Sequence, residues 1–267
     1  MQILEATPNR FQGIELDPAA LPSDPEEFRT RLSASLQEWK REAFKVVWIN
    51  IPIERAALIP VATQSGFTFH HSGTDYLLLT KRLEPNALIP EYATHYIGAG
   101  GVVINERAEL LVVSELHRRS ESPYYKLPGG ALHPGEHIAD CVQREVFEET
   151  GVRTKFEKLV CFRHWHGYRY DKSDIYFVCR LSPLSENISI QAEEIEECLW
   201  LPVSEYLSSE IVSTFNKHIV KAAIESPGVT HMEIEGYSDP ERHEIFMPND
   251  MAKISKSGSI RIIRIEG

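Results

Sequence analysis

The chain has 267 residues, 42% of them hydrophobic, which is enough to bury one large core or two modest ones. Its 39 acidic against 28 basic residues leave a formal net charge of -11 at pH 7. That balance excludes broad, salt-driven binding to nucleic acid or to an anionic membrane, since both need positive surface. A small phosphorylated ligand held by a few local cations and a metal stays compatible with it. The start, MQILEATPNRFQG, has neither a basic beginning nor an apolar run, and no stretch approaches the roughly 18 apolar residues of a membrane helix. A cytoplasmic protein without nucleic-acid or membrane partners is therefore expected. Cys141, Cys161, Cys179 and Cys198 are widely spaced, form no CxxC pair, and read as free thiols among apolar neighbours.

Taken in chain order, FQGIELD reads as a short strand. From Pro25 to about Ala43 the spacing of Phe28, Leu32, Leu36 and Trp39 predicts a helix that buries one face. KVVWINI is a compact apolar strand, and Ile53 to Thr63 looks helical with Gly66 as its stop. FTFHH and DYLLLTKRL suit a hairpin turning at Ser72-Gly73, with His70 and His71 facing solvent. These elements make a small α/β unit, residues 1–93, leaving through a linker over Glu84 to Thr94 that has two prolines and no periodicity. A second region, 94–208, opens with the strand IGAGGVVIN and continues with ELLVVSEL after a turn at Asn105-Glu106. Later strands in it are KLVCFRH, DIYFVCRLS and CLWLPV. The remainder, 209–267, reads as a helix from Ser209 to Ile224 and an extension with weak strand signals in HMEIEG and SIRIIRIE.

The chemistry lies in GALHPGEHIADCVQREVFEETGV, from Gly130 to Val152. A loop ending at Pro134-Gly135 leads into a helix that stops at Gly151. At about 100° per residue, Glu145, Glu148 and Glu149 fall within roughly a 100° arc. Ile138, Val142 and Val146 form a neighbouring apolar stripe suited to packing on a sheet. Three carboxylates gathered this closely repel one another, and a hard divalent cation with oxygen ligands, Mg²⁺ or Mn²⁺, answers that repulsion. Such a cation also offsets the charge of a diphosphate and activates water. Arg144 stands beside Glu145 and four residues before Glu148, where its fork of donors can orient a carboxylate.

This segment resembles the Nudix box, GX5EX7REUXEEXGU with U aliphatic, and every specified position matches. The resemblance implies an α/β/α sandwich around a mixed sheet, with the loop-helix-loop as catalytic centre. It implies metal binding by Glu145, Glu148 and Glu149, one of which serves as base, with the Gly130 carbonyl as a further ligand. Glu136 and Arg144 are implied to brace the helix, Glu136 being counted among the candidate ligands as well. A further catalytic carboxylate is implied before a strand bearing Trp, and Glu194, six residues before Trp200 in EEIEECLWLP, suits that offset. The segments SLQEWKREAFKVVWINIPIERAALIPVATQSGFTFHH, FRHWHGYRYDKSDIYFVCRLSPLS and CLWLPVSEY are similar to a plant and animal Nudix subfamily with a pre-Nudix domain. That similarity covers roughly residues 11 to 207 and makes ADP-ribose and NADH the leading substrates.

Lys126, two residues before Pro128, can reach a phosphate at the mouth of the site. Tyr124, Tyr125, Trp165, Tyr168 and Tyr170 supply rings for a base, with Arg163, His164 and His166 close by in sequence. Of these, Tyr125, Arg163, Trp165 and His166 are carried forward with Lys126 as candidate substrate contacts. The first unit lacks the glycine-rich loop of an acetyl-CoA-binding fold and reads as a substrate-shaping or oligomerisation module, so a homodimer is expected. Other readings are a nucleotide-sensing regulator without turnover, and hydrolysis of diadenosine polyphosphates, coenzyme A or capped RNA. The complete box speaks against the regulator, and the acidic balance against cap removal.

Overall fold

The computed structural model describes residues 2–116 and 124–248, and SIRIIRIE lies outside them. The chain divides into two compact units, Met1–Thr94 and His95–Gly267.

In the first unit a five-stranded sheet runs in the order β1-β2-β3-β5-β4, with β1 Ala6–Pro8, β2 Gly13–Leu16, β3 Val46–Pro52, β4 Thr68–Ser72 and β5 Tyr76–Arg82. Only β2 and β3 are parallel. Helix α1, Pro25–Arg41, starts where the Asp24 carboxylate accepts the Glu27 amide at 2.8 Å. Glu26 and Glu27 in its first turn and Lys40 and Arg41 in its last complement the helix dipole. Its face Phe28, Leu32 and Trp39 is buried against Val47, Ile49, Ile51 and Leu79 of the sheet, with Leu36 at the margin. Deleting a fully buried ring such as Phe28 costs about 3–5 kcal/mol.

Two expectations change here. The helix expected over Ile53 to Thr63 is a 3-10 turn, Ile53–Leu58, followed by a short helix α2, Ile59–Gln64. The backbone leaves helical geometry at Arg55, and Pro60 in the first turn of α2 starts it afresh. His70 and His71 are half-buried and paired rather than solvent-facing. His70 Nε2 reaches the Pro90 carbonyl at 2.7 Å, and the His71 ring stacks on Tyr92 at 4.2 Å. The proline-bearing segment after β5 folds back over this hairpin, which local sequence does not announce.

The second unit holds β6 His95–Val103, β7 Glu109–Glu115, β8 Gly129–Ala131, β9 Thr154–Trp165, β10 Ser173–Pro183 and β11 Ile195–Pro202. Its helices are α3 Ile138–Thr150, α4 Val203–Ser208 and α5 Thr214–Glu225. A mixed sheet runs β8-β6-β10-β9, with β6 and β10 parallel, and β7 pairs with β11. Alternation along the strands feeds two cores. Ala99, Val103, Leu111, Cys179 and Leu181 pack with Cys141, Val142 and Val146 of α3. Val102, Leu110, Val112 and Val178 pack with Tyr206 of α4 and with Ile219, Val220 and Ala223 of α5. Helices thus cover both faces of the strands, the α/β/α arrangement expected.

The stretch set apart as 209–267 contributes α5 to this second core, so it is not a separate extension there. The helix begins at Thr214 rather than Ser209 because Ser209 is extended, while the Ser213 hydroxyl accepts the Asn216 amide at 3.2 Å. Beyond it, HMEIEG is strand only at its first residue. A two-residue strand β12, Thr230–His231, pairs with β13, Phe246–Met247, around a turn-rich segment. No described helix is long and apolar enough to cross a membrane.

Candidate active site

Helix α3 is terminated by Gly151, whose positive φ of 72° lets its amide reach the Phe147 carbonyl at 2.7 Å. Cys141, Val142 and Val146 anchor one face, as the apolar stripe implies. The opposite edge carries the charged residues, and Arg144 organises them. Its guanidinium donates to both oxygens of Glu136, at 2.7 and 2.9 Å, to Glu145 at 2.8 Å, to Glu148 at 2.9 Å and to the Ala131 carbonyl at 3.1 Å. Glu136 also accepts the His133 amide at 2.9 Å, and Arg144 holds its carboxyl down at about 2. Both Glu136 oxygens are thus taken by Arg144, the arrangement a bracing role calls for. The three carboxylates in turn push the Arg144 guanidinium further up from its ordinary value.

Glu149 differs from its neighbours on the helix. It is 6% exposed, its carboxylate accepts the Gly129 amide at 3.0 Å, and the Lys126 ammonium stands 3.9 Å away. Burial outweighs those partners and pushes its carboxyl up to about 7. It lines a cavity of about 270 Å³ together with Glu115, Glu194 and Ile195. Glu194 lies in the loop directly before β11, whose Trp200 carries the expected offset, and its carbonyl accepts the Leu116 amide at 2.8 Å. Lys126 is held beside β7 by paired backbone bonds to Val113 and contacts the Glu115 carboxylate at the strand end.

The glycines explain the close approach of strand and helix. Gly129 has φ +152°, and a side chain there would strike the Ala99 carbonyl and the Tyr176 hydroxyl at 2.4 and 2.6 Å. At Gly130 a Cβ would lie 2.5 Å from a Glu145 carboxylate oxygen, so the absence of a side chain keeps open the space beside that carboxylate. The groups that would hold a divalent cation here, Glu145, Glu148, Glu149 and the Gly130 carbonyl, all offer oxygen, which suits a hard cation. Among the described residues no three His, Cys, Asp or Glu side chains already converge to hold a cation. Arg144 draws Glu145 and Glu148 aside, and the Gly129 amide draws Glu149 inward. The residues fit a divalent cation once those side chains turn toward the space that Gly130 leaves.

The candidate substrate residues separate into two places. Arg163 and Trp165 come together on β9, where the guanidinium lies 5.2 Å from the Trp165 ring centre and 5.6 Å from that of Tyr176. Arg163 is fixed by the buried Asp174 at 2.6 Å. His166 meets the Ser173 hydroxyl at 2.9 Å and the His164 ring at 4.3 Å, on the same hairpin end. Tyr125 goes elsewhere. Its hydroxyl donates to Glu197 at 2.7 Å, and its ring packs against the core beneath α4 and α5.

Sequence reasoning passed over Glu115, Asp174 and Tyr176. Glu115 could have been found as the acidic residue ending the apolar run of β7. Tyr176 and Asp174 alternate with apolar residues on β10, a face that only the pairing to β6 and β9 identifies.

A model described as the NUDIX domain matches residues 94–222, and one described as the Nudix hydrolase domain matches residues 4–83. Nudix hydrolase 8 of Arabidopsis thaliana is 38% identical over 213 residues, 79% of this chain, which spans 58% of that protein's length. Nudix hydrolase 2 of the same plant is 38% identical over 215 residues, 80% of this chain and 77% of that one. Nucleoside diphosphate-linked moiety X motif 6 of Homo sapiens is 34% identical over 226 residues, 82% of this chain and 71% of that one. With the complete box spanning α3 and the loops at its two ends, both domain models matched in order and this identity across most of several relatives, the chain belongs to the Nudix hydrolase family, whose enzymes act on pyrophosphate bonds.

Proposed function

We propose that the chain hydrolyses the diphosphate bond of a nucleoside diphosphate linked to a second moiety, using Mg²⁺ or Mn²⁺, with ADP-ribose and NADH as the leading substrates. The observation that carries this reading is the buried Glu149, raised to about 7 beside Glu145 and facing a cavity shared with Glu115 and Glu194. Lys126 and Arg144 offset these carboxylates only in part, so a diphosphate entering beside them calls for a cation.

Glu145, Glu148, Glu149 and the Gly130 carbonyl would hold that cation, which when bound supplies charge neutralisation at the diphosphate and acidifies water. Arg144, braced by Glu136, stays beside Glu145 and Glu148 as they turn to the cation, and Lys126 turns from Glu115 to a phosphate oxygen. Water attacks one phosphorus, the bridging P–O bond breaks, and the bridging oxygen leaves on the other phosphate. A carboxylate of this group, one of Glu145, Glu148 and Glu149 or Glu194 from the same cavity, accepts a proton from the attacking water. Both products are phosphomonoesters, and the two hydrogens of water are shared between them.

Away from the bond, Trp165 offers a ring face for a base and Arg163 a fork of donors, with His166 at the same hairpin end. One stacking surface beside one guanidinium suits a base on one arm and a sugar on the other. A terminal triphosphate calls for denser positive charge. The name of the human relative, nucleoside diphosphate-linked moiety X, is in keeping with that class.

The test is a nucleotide panel with Mg²⁺, with Mn²⁺ and with EDTA, following released phosphomonoester by phosphate after phosphatase addition. ADP-ribose or NADH is expected to give the highest kcat/KM, and EDTA to abolish turnover. Full turnover in EDTA overturns the metal assignment. A triphosphate preferred tenfold overturns the substrate class and leaves diphosphate hydrolysis standing.

A further inference from the structure

The N-terminus of α3 is capped from the far end of the chain. Its own N-cap residue, His137, makes no side-chain capping bond. The amides of Ile138 and Ala139 instead donate to the two oxygens of the Glu244 carboxylate, at 2.7 and 3.0 Å. His137 Nε2 donates to the Pro240 carbonyl at 2.8 Å, so residues 240 to 244 grip the first turn twice.

The segment that delivers Glu244 is itself seated on the sheet. Val229 and Leu159 of β9 exchange backbone hydrogen bonds, both 2.9 Å. Beyond that bridge, the Met232 amide donates to the Ile245 carbonyl at 2.9 Å, and β12 pairs with β13. Phe246 lies 5.5 Å from Phe156, which packs against the core under α3. The residues on either side of Glu244 are therefore fixed, and its carboxylate is presented rather than dangling.

The electrostatics of α3 give this contact its consequence. The helix carries Glu145, Glu148 and Glu149 in its C-terminal half, where the helix dipole disfavours anions, and its only basic side chain is Arg144. A carboxylate at the opposite, positive end is the favourable counterpart. Two amides bound to one carboxylate also fix the rotation of the helix about its axis. Side-chain tips lie roughly 6 Å from that axis, so a turn of about 10° moves them about 1 Å, and displacement of that size can cost about a hundredfold in rate.

Resting on the hydrolase reading above, we propose that Glu244 is a positioning residue: the strap of residues 226–247 holds α3 by its N-terminus and thereby aims Glu145, Glu148 and Glu149 at the cation. The experiment compares full-length wild type with Glu244→Ala, Glu244→Gln and Glu244→Asp, and with Glu233→Gln as an exposed carboxylate on the same strap. Three quantities are read: amide exchange at Ile138 and Ala139, Mn²⁺ affinity by electron paramagnetic resonance without substrate, and kcat and KM on the best substrate of the panel. Glu244→Ala is expected to deprotect both amides, weaken Mn²⁺ binding about tenfold and lower kcat about tenfold, with KM within about twofold. Glu244→Asp should recover part of each loss, and Glu233→Gln should match wild type.

If Glu244→Ala does not fold, Glu244→Gln carries the test, because it keeps one acceptor and loses the charge. Unchanged Mn²⁺ affinity and kcat, with only a lower melting temperature, overturn positioning and leave a structural cap. If wild type turns over nothing on the panel, the hydrolase reading fails, while amide exchange and Mn²⁺ affinity still decide the role of Glu244.

Discussion

Glu149→Gln is expected to remove a pH-dependent weakness from the metal-free protein. In the folded chain burial lifts this carboxyl from 4.5 to about 7, the Gly129 amide and the Lys126 ammonium offsetting only part of the cost. A raised folded-state value means that the folded chain holds the proton more tightly than the unfolded one. The stabilising contribution is therefore complete below pH 4.5 and is lost as pH rises through about 7. At about 1.4 kcal/mol per pH unit, that interval corresponds to about 3 kcal/mol. Because Glu149 is only 6% exposed, solvent screening removes little of it. For a unit of this size the change corresponds to about 6–12 °C in Tm. Thermal unfolding in EDTA from pH 4.5 to 8.5 reads it directly, with wild type losing ground to Glu149→Gln across the window. Added Mn²⁺ should then restore wild type alone, since binding to the folded state stabilises it. A difference between the two proteins that stays flat with pH refutes the reasoning.

Glu148→Gln should lower turnover at least about a hundredfold by removing one ligand, while leaving Tm unchanged because the side chain is half exposed. Arg144→Met should cost about 2–4 kcal/mol in denaturant unfolding at pH 7, since it strands the mostly buried Glu136 without its partner. That loss should shrink as pH falls through about 2, where Glu136 takes up a proton. Trp165→Ala should raise KM for ADP-ribose about tenfold with kcat little changed, the size of one lost base stack. Light scattering is expected to give a mass near twice the 30.4 kDa chain, with the first unit contributing to the interface. A monomer at micromolar concentration retires that expectation.

Sequence spacing alone carried the helix of the box and its stop at Gly151. Both are properties of consecutive residues, and the helical repeat converts them into geometry. Strands written as short continuous apolar runs, such as β3 and β7, were legible for the same reason. What failed depends on residues far apart in the chain. β8 is three residues long and is a strand only because Gly98 to Gly100 of β6 pair with it. The burial of His70 and His71 requires Pro90 and Tyr92 to return over their hairpin. Tyr125 was grouped with the ligand-facing rings by proximity along the chain, whereas its hydroxyl is taken by Glu197. Glu244 lies more than a hundred residues from the amides it caps, and nothing in its neighbours distinguishes it from other surface acids.

Strand β10 tolerates very little editing. Tyr176 and Val178 face the α4 and α5 core, while Phe177 and Cys179 face α3, and each stands opposite a fixed partner on β6 and β9. Deleting a single residue would exchange the two sets, since side chains alternate with a period of two. The Tyr176 ring would leave Gly98 and Gly100, and Arg163 would lose Asp174. Loops on either side can change length without this exchange, whereas within β10 only substitution keeps each side chain on its face. The length of β10 is thus set by the two helical layers that share the strand.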